Sequence, residues 1–347
     1  MAKKQRPGYL CRECGYRSAK WLGRCPQCEA WDSFEVESAP PAGVKTLLGE
    51  ARRARVEPAA VRSLDLVEDD GVDRRTSAAP LIDRVLGGGV VPGGAVLLAG
   101  EPGIGKSTLL LQLGHALAGS GSGSAPEAAE DPPVLYVSAE ESPRQLRLRA
   151  QRLGCLGSGL AVAGETEIEP ILATVEARKP PVLLVDSVQA LRAADLTGPP
   201  GSVSQVRHCA EQLVTVCKAF EIALFLVGHV TKDGAIAGPK SLEHLVDTVI
   251  TFEGEGASGH RILRAQKNRF GPTGEVAMFE MRDAGLVPVI DPSKVLLARR
   301  QQHRPGSAVL ASLHGSRPLL VEVQALVHPS PIPTPRRQAQ GLDGTRA

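Results

Sequence analysis

Four short runs along the chain are apolar at nearly every position: AVLLAG (95–100), VLYVSA (134–139), PVLLVDS (181–187) and IALFLVG (222–228). Runs of this kind predict strands covered on both faces, because a half-solvated strand alternates apolar with polar residues. Three later runs, DTVITF (247–252), HRILRAQ (260–266) and VAMFEM (276–281), alternate more and predict a meander at the sheet edge. Between strands the period becomes helical, as in the i, i+4, i+7, i+8 stripe of Val206, Ala210, Leu213, Val214, Cys217 and Phe220. Strands alternating with amphipathic helices from Thr76 to Ala284 predict an α/β core: a parallel sheet with crossover helices.

The remaining pattern divides the chain further. Residues 1–34 hold four of the seven cysteines and both tryptophans. Residues 35–75 mix Pro, Ala and alternating charges, as a linker does, and 119–133 (GSGSGSAPEAAEDPP) reads as a loop. Residues 285–347 predict one strand, RPLLVEVQALV (317–327), before a Pro-rich end. No run approaches the roughly 20 apolar residues of a membrane span, and MAKKQRPGYL lacks the apolar segment of a secretory signal. The expected location is cytoplasmic, with no membrane partner.

Composition changes this picture little. Hydrophobic content of 42% and charged content of 22% are those of an ordinary globular protein. A net charge of +2 does not single out a nucleic-acid partner, and 3% aromatic residues leave few rings for base stacking. Residues 1–34 carry seven Lys/Arg against three Asp/Glu, and 291–347 carry eight against three; each is a local basic surface or a solvated charge run.

Cys11-x-x-Cys14 and Cys25-x-x-Cys28 are two knuckles ten residues apart. In a reducing compartment this doubled spacing predicts a four-thiolate Zn²⁺ site, structural because no coordination position stays open; a disulfide pair or four incidental cysteines are the alternatives. Trp21, Trp31 and Phe34 are expected to pack around the metal loop, with base stacking as a second use. Cys155, Cys209 and Cys217 read as core residues.

GEPGIGKST (Gly100, Glu101, Pro102, Gly103, Ile104, Gly105, Lys106, Ser107, Thr108) matches G-x-x-x-x-G-K-[ST] between a predicted strand and a predicted helix. Its glycines let backbone amides curl around a β-phosphate at the helix N-terminus, so ATP with Mg²⁺ is the expected ligand pair. Lys106 is assigned to the β/γ-phosphates and Ser107 to Mg²⁺. Asp186, closing PVLLVD, is placed to hold the Mg²⁺ shell, or is a simple strand-end acid. Glu140 and Glu141 follow another strand; Glu140 is favoured as the group that activates water, with Glu141 as a helix N-terminal charge. His229, ending strand 222–228, serves either as a γ-phosphate sensor or as an ordinary loop histidine.

These residues carry a family resemblance. CRECG…CPQC, LGGGVVPGGAVLLAGEPGIGKST, YVSAEES, LLVDSVQ, GHVTKDGAIAGPK and KNRFG together resemble the bacterial RadA (Sms) family of DNA repair proteins, over residues 8–340. The resemblance implies a zinc ribbon at 1–34, a linker at 35–75, a RecA-like P-loop ATPase core at 76–284 and the start of a Lon-protease-like domain at 285–347. It implies a DNA-dependent ATPase that forms homo-hexameric rings on single-stranded and branched DNA and drives branch migration alongside the RecA recombinase. Glu140 becomes the catalytic carboxylate and Asp186 the Walker B acid. The family's Lon-like domain normally continues past residue 347, so a shortened domain is expected here, and it bears on ring stability.

Lys267-Asn268-Arg269-Phe270-Gly271 is that family's signature, set between a predicted strand and a Gly-Pro turn. A P-loop ATPase of this class spreads transition-state charge over cations, which a neighbouring subunit can supply. Lys267 and Arg269 are therefore expected as fingers into the adjacent subunit's ATP, or as links to DNA; a solvated hairpin tip is the plain alternative. Candidate DNA contacts are the ribbon, Lys232, Lys240 and the signature itself. Two other functions fit the pattern less well: a RecA-core signalling phosphotransferase, and a protease component, for which no Ser–Lys dyad is recognisable.

Overall fold

The computed structural model describes residues 8–12, 16–18, 20–37, 74–77, 79–119, 132–229, 241–254, 259–298, 300, 305–329 and 338–339. The chain forms two compact units, Met1–Val289 and Ile290–Ala347. Cys14, Lys232, Lys240 and most of the 35–75 linker lie outside the described residues.

In the first unit, β1 (Gly8–Cys11), β2 (Arg17–Ser18) and β3 (Phe34–Glu37) make a small antiparallel sheet in the order β2-β1-β3. The main sheet has nine strands: β4 (Ala95–Gly100), β5 (Val134–Ser138), β6 (Leu160–Gly164), β7 (Val182–Asp186), β8 (Ala223–His229), β9 (Thr248–Gly254), β10 (His260–Asn268), β11 (Val276–Arg282) and β12 (Gly285–Pro288). Their order is β12-β11-β10-β9-β4-β8-β7-β5-β6. Strands from β9 across to β6 run parallel, and β9 to β12 form an antiparallel meander at one edge.

Helices cover both faces: α1 (Pro80–Val85), α2 (Lys106–Gly119), α3 (Pro143–Arg152), α4 (Ile168–Arg178), α5 (Val203–Ala219) and α6 (Ser241–Leu245). Strand residues alternate between two core layers. Val96, Leu98, Tyr136, Val182 and Leu184 pack with Leu109, Leu110 and Leu113 of α2 and Leu146 of α3. Leu97, Leu135, Leu183 and Val185 pack with Ile171 and Val175 of α4 and Val206 and Leu213 of α5. Each fully buried leucine of this kind contributes about 1.5–3 kcal/mol, which is why the apolar runs hold the centre of the sheet.

Several sequence expectations change. Strand β6, at the far edge, was not expected: its residues (LAVAG) are small and only partly buried. Strand β12 continues the meander beyond the three expected runs. Phe220 falls just past α5 and stays 37% exposed, with Lys179 over its ring, rather than completing the buried stripe. Of the ribbon aromatics, Phe34 is buried beside Cys11 and Cys25, with Tyr9, Tyr16 and Leu22 against them. Trp21 and Trp31 are 50% and 75% exposed, which corrects the expectation that they pack around the metal loop. So small a module fills its interior with Cys11, Cys25 and Phe34, and Trp31 instead lies under the Arg24 guanidinium.

The second unit contains α7 (Pro292–Leu297), capped by the Asp291 carboxylate, and a hairpin of β13 (Ser307–His314) with β14 (Arg317–Gln324). The one strand expected there thus ends earlier, at Gln324, and has a partner. Among the described residues no helix is long and apolar enough to cross a membrane.

Candidate functional site

The loop between β4 and α2 carries the glycine-rich motif. A Cβ on Gly100 would stand 2.5 Å from the Phe252 carbonyl oxygen on β9, so only glycine fits there. Gly103 and Gly105 take φ of +76° and +111°, which side chains rarely adopt. The loop therefore turns tightly into α2, whose first amides have no intrahelical acceptor and are open to an anion. Lys106 is only 4% exposed, and its Nζ donates to the carbonyls of Gly100 (2.8 Å) and Glu101 (2.9 Å) and lies 3.1 Å from His229 Nδ1. Burial lowers its affinity for a proton, and the carboxylates of Asp186 and Glu140 partly offset that. Arg261 of β10 donates from Nε to the Ile104 carbonyl (3.1 Å), tying the loop to the meander. Ser107 and Thr108 open α2, half-buried.

The neighbouring strand ends bring the other groups in. Parallel pairing sets Gly100 beside His229, and Ser138 beside Asp186. His229 Nε2 lies 3.5 Å from Glu140 Oε1, and the Ser187 hydroxyl donates to that same oxygen. Asp186 is 7% exposed and accepts a 2.7 Å hydrogen bond from the Tyr136 hydroxyl. Burial, then the Asp186 charge, pushes the Tyr136 phenol well above its ordinary pKa, so it stays protonated and donates. Glu141 turns away: it pairs with Arg149, and its peptide N–H and carbonyl bond the Ser138 hydroxyl. The geometry thus gathers Lys106, Glu140, Asp186 and His229 at one edge of the sheet and leaves Glu141 outside the group. Hydroxyl and carboxylate oxygens, from Ser107 and Asp186, are the hard donor set that Mg²⁺ takes.

Lys267 and Arg269 lie elsewhere. Asn268 pairs with Thr248, which pairs with Val96, whereas Gly100 pairs with Phe252. The signature is thus about 13 Å back along the strands from the chain's own glycine-rich loop, at ~3.3 Å per residue. Lys267 Nζ donates to the carbonyls of Glu243 (2.6 Å) and Val246 (2.7 Å) at the end of α6. Burial and the nearby Arg269 lower its pKa. Arg269 is 57% exposed and pairs with Asp247 at 3.0 Å. Asp247, 6% exposed, also meets Lys218 (3.2 Å) and accepts from the Ala95 amide (3.1 Å).

The rest of the signature packs. Asn268 Oδ1 accepts from Thr248 Oγ1 and the Phe270 amide. Arg74 donates to the carbonyls of Phe270 (2.9 Å) and Gly87. A Cβ on Gly271 would stand 2.6 Å from Gly87 Cα. Sequence reasoning did not find Tyr136, Ser187, Asp247 or Arg261; of these, only the lone tyrosine in an aliphatic strand offered a signal.

In the ribbon, the sulfurs of Cys11, Cys25 and Cys28 lie within 4.8 Å of one another. A zinc tetrahedron with bonds of about 2.3 Å separates its sulfurs by roughly 3.8 Å, and Cys11 Sγ lies 3.6 Å from Cys28 Sγ. The residues present fit Zn²⁺. Cys209 and Cys217 are buried in α5, where desolvation pushes each thiol up to about 12.

A family model described as an AAA domain matches residues 57–235, and one described as a rubredoxin metal-binding domain matches 9–35. The chain is 44% identical over 345 residues to the DNA repair protein RadA of Bacillus subtilis, covering 99% of this chain and 72% of that protein. It is 46% identical over 344 residues to the RadA of Listeria monocytogenes, with the same coverage. With the RadA of Streptococcus pyogenes serotype M1 the identity is 47% over 352 residues, covering 100% of this chain and 73% of that protein. Among solved structures, the ATPase domain of G40P matches 64% of this chain and 93% of its own at a TM-score of 0.51 and 14% identity, a likeness of fold. The nine-stranded core is accordingly RecA-like, and the N-terminal sheet is a metal-binding ribbon.

Proposed function

The chain belongs to the RadA family of DNA repair proteins, ATP hydrolases with a RecA-like core, and from that premise we propose that it is a DNA-stimulated motor whose ATP sites are completed between subunits. Lys106 and the first amides of α2 bind the β- and γ-phosphates. Ser107 and Asp186 would hold Mg²⁺, which when bound neutralises phosphate charge. Glu140, held by Ser187, accepts a proton from the attacking water, and His229, between Glu140 and Lys106, reports the γ-phosphate. Arg269 of one subunit stabilises the transferring phosphate of the next. Lys267 holds the end of α6, and hence the base from which Arg269 projects.

One observation carries this reading: Arg269 is exposed at the sheet edge opposite its own phosphate loop, so it suits a neighbour's ATP and not its own. Head-to-tail contact of that kind closes into a ring, a homo-hexamer in this reading, around single-stranded DNA. Lys232, Lys240 and the basic ribbon are the proposed phosphate contacts. The motor migrates branched DNA in the cytoplasm alongside the RecA recombinase. Phosphate contact makes affinity fall steeply with salt.

The test is ATPase rate with and without single-stranded DNA, with assembly mass followed by light scattering. Stimulation that accompanies a ring-sized particle supports the proposal. A rate indifferent to DNA from a monomer contradicts it, and phosphoprotein formation without DNA would favour a signalling phosphotransferase.

A further inference from the structure

Strand β5 reads Val134-Leu135-Tyr136-Val137-Ser138, every residue buried. Tyr136 is wholly buried at its centre, one of three tyrosines in the chain. A phenol in such a position needs an acceptor, because an unpaired buried hydroxyl costs about 1–3 kcal/mol. Its acceptor comes from the adjacent strand. Tyr136 pairs in register with Leu184, and alternation puts Leu184 and Asp186 on the same face of β7. That face belongs to the core layer that includes Tyr136, Leu184 and the leucines of α2, the helix that opens with Lys106 and Ser107. The phenol therefore reaches along the strand direction to Oδ2 of Asp186, at 2.7 Å, on the side where the phosphate loop lies.

We propose that Tyr136 is a positioning residue for the metal-binding carboxylate: by occupying Oδ2 of Asp186 it fixes the rotamer and commits Oδ1 to the Mg²⁺ shell. Without this bond the Asp186 carboxylate is held less firmly, and binding the metal then costs more orientational freedom. Partners that orient a ligand in this way typically matter by about 10–100-fold in metal affinity. The inference rests on the reading of Asp186 as the Mg²⁺ acid.

The test compares wild type, Tyr136→Phe and Asp186→Asn by titration with a fluorescent ADP analogue, once in EDTA and once in Mg²⁺. Phe keeps the ring that fills the core. The expected result for Tyr136→Phe is unchanged affinity in EDTA and a Mg²⁺-dependent gain smaller by about tenfold. Asp186→Asn should lose that gain altogether. If Tyr136→Phe melts at lower temperature in EDTA yet keeps the full gain, the hydroxyl serves only the core and the proposal is overturned. Should Asp186→Asn also keep the gain, the metal role of Asp186 itself fails, a result distinct from the first.

Discussion

The two edges of the central sheet carry charge clusters of opposite design. At the C-terminal ends of β4, β5, β7 and β8, one buried ammonium, Lys106, faces the carboxylates of Glu140 and Asp186 and the ring of His229. At the N-terminal ends, one buried carboxylate, Asp247, gathers Arg269, Lys218 and the Ala95 amide, with Lys267 nearby on the carbonyls of α6. The first edge holds more acid than base; the second has cations to spare and leaves two of them, Arg269 and Lys218, exposed. In the proposed assembly the two ends meet head to tail, and phosphoryl transfer draws on the charges of both.

Removing Arg269 should break the proposed pairing most severely. Arg269→Ala is expected to lower DNA-stimulated phosphate release by about 10³-fold, with nucleotide affinity in a fluorescence titration unchanged. At the other edge, Glu140→Gln should lower turnover by about 10²-fold or more while ATP still binds; the same measurements apply. Equal losses of binding and turnover in either variant would mean that the edges do not divide their work in this way.

Asp247 sharpens the comparison through stability. Asp247→Ala leaves the Ala95 amide and two cations without their shared acceptor, and should cost about 1–3 kcal/mol in urea denaturation. The smallest expected effect is a pH dependence at the acidic edge. Because burial lowers the Lys106 pKa from 10.5, the unfolded chain binds more protons between that lowered value and 10.5. The contribution of Lys106 to stability therefore rises with pH through this window, and wild type should gain on Lys106→Met as pH rises.

How much of this was legible in the sequence differs between the edges. The strand-loop-helix setting of the glycine-rich motif could be read locally, since one strand, one turn and one helix supply it and the spacing is fixed by backbone chemistry. Glu140 and Asp186 could be placed because each ends an apolar run. The opposite edge depends on partners far apart in the chain: Asp247 meets Ala95, 152 residues earlier, and Arg74 meets Phe270, 196 residues later. No spacing rule reports such contacts. The partly exposed edge strand β6 lacked a pattern for a related reason, because its small residues bury little area. The tryptophans misled because residue type does not fix burial in a module as small as the ribbon, where Cys11, Cys25 and Phe34 already fill the interior.

The central claim is that one subunit's Arg269 completes the next subunit's ATP site, and mixing two inactive proteins tests it most directly. Lys106→Ala lacks the phosphate lysine and Arg269→Ala lacks the finger, so each should be nearly silent alone. Mixed in equal amounts and assembled on single-stranded DNA, they should regain hydrolysis at roughly a quarter of the wild-type rate, the share of head-to-tail interfaces with both groups intact. A mixture as silent as its components, or an Arg269→Ala protein active by itself, would contradict the account.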